Sequence, residues 1–239
     1  MTAANAGADD LLSRPIVLVV ALALVSLAPF GFMAVTAFAK IATVLQIVRS
    51  AIGAQSVPSN SVVMALAAAL TLLAMAPVGE KILARVTPLV SAAGARDTIA
   101  LVRGGVEAVR EPLREFLRSN ASDAEKERFL DVARRARSEP RAAQPGAAKP
   151  TEPASQIGAD DLTVLVPAFV VTELTEAFAI GFLIYLPFLV IDLVVSNVLL
   201  ALGMQMMSPS QVSLPFKLLL FVATNGWGLL ARSLVAGYR

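Results

Sequence analysis

The sequence predicts an all-α membrane protein in which two apolar helical hairpins, made from four hydrophobic segments, flank a polar helical insert on the periplasmic side. Three observations predict it. Of the 239 residues 56% are apolar, about 62% once the 14 glycines are added, against ~45–50% on that count for an average soluble domain. Charged residues make up 16%, where ~25% is usual. The charge is also concentrated: Glu80 to Asp161 carries 27 of the 38 charged side chains, which leaves 11 for the rest of the chain. Flanks that apolar cannot form a well-solvated surface, so an ordinary soluble enzyme is disfavoured.

Residues 1–14 form a polar tail with two acids and one base. The first hairpin spans 15–79. It opens with 25 uncharged residues, Pro15 to Ala39, which as one straight helix would reach ~37 Å and cross a ~30 Å hydrocarbon core. Ala37-Phe38-Ala39 imitates a cleavage site, but the run is too long for a signal-peptide core and its lead-in is not basic. An uncleaved segment is expected. A turn-like stretch, 53–60, precedes the second run, Val62 to Val78. Residues 40–61 hold Lys40 and Arg49 and no acid, so the positive-inside rule puts that loop in the cytoplasm and the insert outside.

The insert, 80–138, carries 14 bases and 13 acids when extended to Asp161, a balance unlike the one-sided basic face of a nucleic-acid binder. Between Arg96 and Arg118, Ile99, Val102, Val106, Val109, Leu113 and Phe116 recur at three- and four-residue steps, as on an amphipathic helix. Ser122 with Glu125 reads as a capping box opening a second helix. Residues 139–161 are proline-rich and poor in large apolar side chains, the composition of a tether. The second hairpin, 162–239, holds the runs Leu162 to Met207 and Val212 to Tyr238.

The chain has no histidine and no cysteine, which removes disulfides, Cys/His zinc sites, cysteine nucleophiles and Ser-His-Asp triads. No cofactor, metal site or catalytic residue is predicted. Asp192 alone cannot make an aspartyl dyad. Ser213 and Lys217, four apart, mimic a Ser/Lys dyad, but an exposed helix start with a chance pairing accounts for them. Glu173, Glu176, Asp192 and Lys217 interrupt apolar helices, where a charge costs ~2.5–3.5 kcal/mol on insertion scales and so faces a partner or a wet cavity. They read as polar contacts between helices or subunits, as an ion or proton pathway, or as groups at an interface. Glu173 and Glu176 share a helix face. The string Gly203-Met204-Gln205-Met206-Met207-Ser208-Pro209 reads either as a helix end with gap-filling methionines or as a deformable apolar lining.

The run ELTEAFAIGFLIYLPFLVIDLVVSNVLLALGMQMMSP from Glu173, followed by SLPFKLLLFVATNGWGLL, resembles the R subunit of type III secretion export gates, whose flagellar counterpart is FliP. So does LAPFGFMAVTAFAKIATVLQIVRSAIGAQSVPSN, with Lys40 and Arg49-x-x-x-Gly53. The insert resembles the family only through Pro112, Phe116, Phe129 and Ala133. The resemblance implies an export-apparatus protein of a Gram-negative inner membrane. It implies a ring of five copies joined to S- and T-type subunits and further export components, closed by default and passing unfolded proteins. It further implies that the hairpins pack on other subunits in an assembly raised largely out of the lipid, so that hydropathy overcounts crossings. Met204, Met206 and Met207 would line the closed pore. Gln205 interrupts a methionine run that is often continuous in the family, and Asn225 stands where the family often has aspartate. The absence of a cleavable leader favours a virulence-type system over the flagellar one. The competing class is a small ion-coupled transporter or channel subunit using Glu173, Glu176 and Asp192 as carriers.

Overall fold

The structure, a computed structural model, describes residues 15–53, 58–92, 98–138, 158–204 and 206–238. The polar tail 1–14, most of the proline-rich stretch (139–157) and Gln205 lie outside them. Every described element is a helix: α1 (Pro15–Val35), α2 (Phe38–Ile52), α3 (Asn60–Ala92), α4 (Thr98–Asn120), α5 (Asp123–Ser138), α6 (Leu162–Ala201), α7 (Pro209–Ala223) and α8 (Gly226–Ala236). Among them α3 and α6 are long and apolar enough to cross a membrane, and four segments qualify if each of two bent helix pairs is one span. At 40 residues, α6 is ~60 Å long, about twice the hydrocarbon thickness.

Two of the expected straight spans are bent. The first breaks at Thr36 and Ala37, where α2 turns 86° from the end of α1. The Thr36 hydroxyl donates to the carbonyl of Phe32 at 2.8 Å and receives the Phe38 N–H at 3.4 Å, a side-chain alternative to the helix ladder. The last run bends 58° between α7 and α8, where Asn225 takes a left-handed conformation with φ 51, which asparagine tolerates better than most residues. Lys40 is therefore not a loop residue. It is the third residue of α2, only 5% exposed, and one of the two charges behind the positive-inside reading is thus buried. The second apolar run also does not stop at Val78: α3 continues through Glu80 to Ala92 and carries Pro77 and Pro88 within it.

Two cores hold these helices. One gathers Ile41, Val44, Leu45 and Val48 of α2, Val63, Ala67 and Leu70 of α3, Ala177 and Phe188 of α6, Phe221 of α7 and Leu230 and Leu234 of α8. The other docks the insert on the start of α6 through Phe116, Leu117 and Ala121 against Leu165, Ala168 and Phe169, with Val78 from α3. Phe116 meets Phe169 edge-on at 5.5 Å and stacks on Tyr238 at 5.9 Å. The Ser122 N–H donates to the Thr172 hydroxyl at 3.0 Å, pinning the α4–α5 corner to α6. At the start of α5, a hydrogen bond from Lys126, reinforced by its charge, holds the Asp123 carboxyl below the usual carboxylate range. α2 runs parallel to α6, and Gly181 lets them close, because a Cβ there would lie 2.5 Å from the Ile47 Cδ1.

Gly226 is a sharper steric test. A Cβ there would meet three Phe221 ring carbons at 2.3 to 2.6 Å, and that ring is wedged between Phe188 and Trp227 at 6.3 and 5.1 Å. Gly226→Ala should cost about 1–3 kcal/mol by overpacking. Thermal unfolding in detergent should show a lowered midpoint, whereas Gly31→Ala, which meets nothing within 4 Å, should leave it in place.

Candidate functional site

Three features stand out from the apolar helices: two partly buried charge clusters and the methionine loop. The first cluster joins α2, α6 and the end of the chain. Lys40 Nζ stands 2.9 Å from Glu173 Oε1 and 2.7 Å from Glu176 Oε2. The approach to Glu173 is electrostatic, off the direction of a hydrogen bond. Glu173 is fully buried, and its other oxygen accepts a hydrogen bond from the Tyr238 hydroxyl. The Tyr238 ring lies under the ammonium, 4.5 Å from Nζ to its centroid, a favourable cation–π geometry.

The second cluster joins α6, α7 and the end of α2. Lys217 Nζ donates to Asp192 Oδ2 at 2.7 Å and to the Ala51 carbonyl at 3.1 Å. Ser213 donates to Asp192 Oδ1 at 2.6 Å. Lys217 thus puts a positive charge on the carbonyl end of α2, where the helix dipole favours it. Ser213 does not sit at an exposed helix start as expected. It is fully buried, because its hydroxyl and the lysine four residues on converge on one carboxylate.

The methionine loop follows from how α6 ends. Gly203 takes φ 71, the Gly203 N–H donates to Leu200 O at 3.1 Å and the Met204 N–H to Leu199 O at 2.9 Å. This is the paired bonding of a Schellman stop. α7 restarts at Pro209, a residue suited to a first turn because it lacks the N–H. Between the two, Met206 is completely exposed, and Met204 and Met207 are 42% and 44% exposed. No methionine of this loop packs into either core.

The structure therefore brings Asp192 to Lys217 and sets Glu173 and Glu176 together on one ammonium. Sequence reasoning did not place Lys40, Ser213 or Tyr238 in these clusters. A signal for Lys40 was present: it stands on the stripe continued by Val44 and Val48, both buried at four-residue steps.

The second cluster makes a charge-swap prediction. Lys217→Met leaves Asp192 with Ser213 as its remaining side-chain donor among the described residues and should destabilise the chain by about 1–3 kcal/mol, below the about 3–5 of a fully buried pair, since Asp192 keeps 32% exposure. Asp192→Lys and Lys217→Asp should each lower the yield of folded protein. The double reversal should restore it in part only, because the Ala51 carbonyl would then face a carboxylate. Detergent-extracted yield and melting midpoint of the four variants measure this.

Residues 21–234 match the FliP family. The chain is 44% identical over 224 residues to the Hypersensitivity response secretion protein HrcR of Ralstonia nicotianae, covering 94% of this chain and 96% of that protein. It is 41% identical over 221 residues to Yop proteins translocation protein R of Yersinia pestis, with 92% and 95% covered. It is 39% identical over 230 residues to Virulence protein YscR of Salmonella typhimurium, with 94% and 97% covered. With the family pattern running from α1 into α8, the chain belongs to the FliP family.

Proposed function

We propose that this chain is a core export-gate subunit of a type III protein secretion apparatus in a bacterial inner membrane. Like copies form a ring with S- and T-type subunits, and the ring encloses the path of unfolded proteins. The observation that carries this reading is the methionine loop, held outside both cores by a Schellman stop at the end of a helix whose most apolar stretch is only 11% buried. A helix that apolar and that bare needs lipid or other subunits to cover it. The relatives' names speak of secretion and translocation, and of hypersensitivity, Yop proteins and virulence, which favours a virulence-type apparatus over a flagellar one. The work is structural rather than enzymatic: the hydroxyl and ammonium that resemble a dyad are both committed to Asp192. The carboxylates that a transporter would use as carriers are likewise held by Lys40 and Lys217. Co-purification with S- and T-type subunits, with masses read by native mass spectrometry, tests the assembly; isolation of a functional chain without them would overturn it.

Within such a ring, Met204, Met206 and Met207 form the seal. Thioether chains repack around irregular surfaces at little cost, so together they close an apolar constriction to water and ions yet yield to an arriving polypeptide. Replacing all three by alanine should raise ion leak across the membrane while secretion persists, because the seal opposes leak and does not drive export. Gln205→Met should leave leak unchanged or lower it. Conductance of cells holding the assembled gate measures both, and a triple-alanine gate as tight as the wild type would reduce these residues to surface packing.

A further inference from the structure

An apolar pit of about 400 Å³ opens where the first hairpin meets the end of the chain, lined chiefly by Arg49 and Ile52 of α2, Val62 and Leu66 of α3, Leu218 of α7 and Trp227 of α8. The lining holds one charged side chain, Arg49, and it is positive. Arg49 Nε donates to the Pro58 carbonyl at 2.9 Å, which fixes the guanidinium beside the start of α3. The amino end of that helix adds partial positive charge at the same corner, while Lys217 nearby is matched by Asp192 at 2.7 Å. A guanidinium presents its donors in the planar fork that suits phosphate oxygens. The pit also has a definite level. α3 is long and apolar enough to cross a membrane, and that stretch begins at Asn60, so Arg49, Pro58 and Val62 stand where hydrocarbon gives way to headgroups. Trp227, an apolar ring with one N–H, is the residue type that gathers at this boundary. Val62 and Val222 on the walls stay 58% and 74% exposed, so the pit is open to its surroundings. Its volume equals that of about thirteen waters, room for one hydrocarbon chain and too little for a helix. A free phosphate would leave the apolar walls bare, and an uncharged acyl chain would make no use of the arginine. A second groove of about 420 Å³, between α6 and α7, supplies the contrast: its walls, Val194, Val198 and Phe216 among them, are wholly apolar, so it has nothing with which to choose a headgroup.

We infer that the pit seats one anionic phospholipid, with its phosphate on Arg49 and an acyl chain between Leu66 and Leu218. The inference needs only that the chain lies in a membrane, and it stands apart from the subunit reading above. The test reconstitutes the full chain into phosphatidylcholine vesicles. Trace phosphatidylglycerol or trace phosphatidylcholine, each with the same diazirine at the end of one acyl chain, then labels it, and mass spectrometry maps the adducts. Phosphatidylglycerol should label residues 62–66 and 218–222 about fivefold more than phosphatidylcholine, the scale of one basic side chain on an anionic headgroup. The two lipids should label the α6–α7 groove alike. Arg49→Gln should bring the ratio at the pit to about one, and Arg49→Lys should keep most of it. Val222→Trp, at an exposed wall position, should cut labelling of residues 62–66 by both lipids and leave the groove unchanged. That variant and the wild-type ratio carry the test if Arg49→Gln lowers the melting midpoint, since Arg49 also holds the α2–α3 corner. Equal labelling of the pit by both lipids would reduce it to ordinary lipid contact and overturn the inference. So would a headgroup preference that survives Arg49→Gln in a folded chain, or labelling that Val222→Trp leaves untouched. A groove that labels while the pit does not would give the pit to a protein neighbour, and the inference would fall.

Discussion

An ammonium taken out of water must be met by negative charge, and Lys40 imposes that requirement on the packing around it. Leaving such a charge buried and unpaired costs several kcal/mol, so α2 can rest only where α6 presents Glu173 and Glu176. That contact sets the register of the two parallel helices and brings Ile47 against Gly181, where only a missing Cβ permits the approach. At the far end of α2, Lys217 closes the arrangement by taking both the Ala51 carbonyl and Asp192. The apolar side chains of α2 provide most of the contact area, but hydrophobic contact is non-directional. The two lysines supply the direction.

Much of this was legible in the sequence. Apolar runs and the periodic insert gave the helical class and the positions of α4 and α5 to within two residues. The isolated opposite charges of Asp192 and Lys217 suggested partners, and the two have met. What could not be read was where helices bend and what lies across from them. The break at Thr36–Ala37 interrupts its run with no glycine or proline at the bend, whereas the one at Thr224–Asn225 stands directly before Gly226, an Asn-Gly turn signal inside an otherwise apolar run. The first is marked only by a side-chain hydrogen bond, and at the second the asparagine takes the left-handed conformation. Lys40 was taken for a topology marker because a hydropathy rule counts charges and is blind to which face carries them. Tyr238 could not be placed at all, since its partners Glu173 and Phe116 stand 65 and 122 residues away (238 − 173; 238 − 116).

The insert is tied to the rest of the chain more closely than its composition suggests. Phe116 and Leu117, from a helix rich in charge, enter the same core as Phe169, while Met75 and Tyr238 border both cores. The same Tyr238 covers Lys40 and donates to Glu173. The hydrogen bond that pins the α4–α5 corner ends on Thr172, one residue before Glu173 on α6.

The bare flank of α6 has a further consequence for the life of the protein in the cell. Phe178, Phe182 and Leu183 are each more than 60% exposed, and Leu200 is 65% exposed near the other end of the helix. A newly made copy without companions shows chaperones and proteases the kind of surface they bind in misfolded chains. Ligands and subunits that bind only the folded form raise its apparent stability by mass action, so a copy whose α6 flank is covered is held folded more firmly than one whose flank is bare.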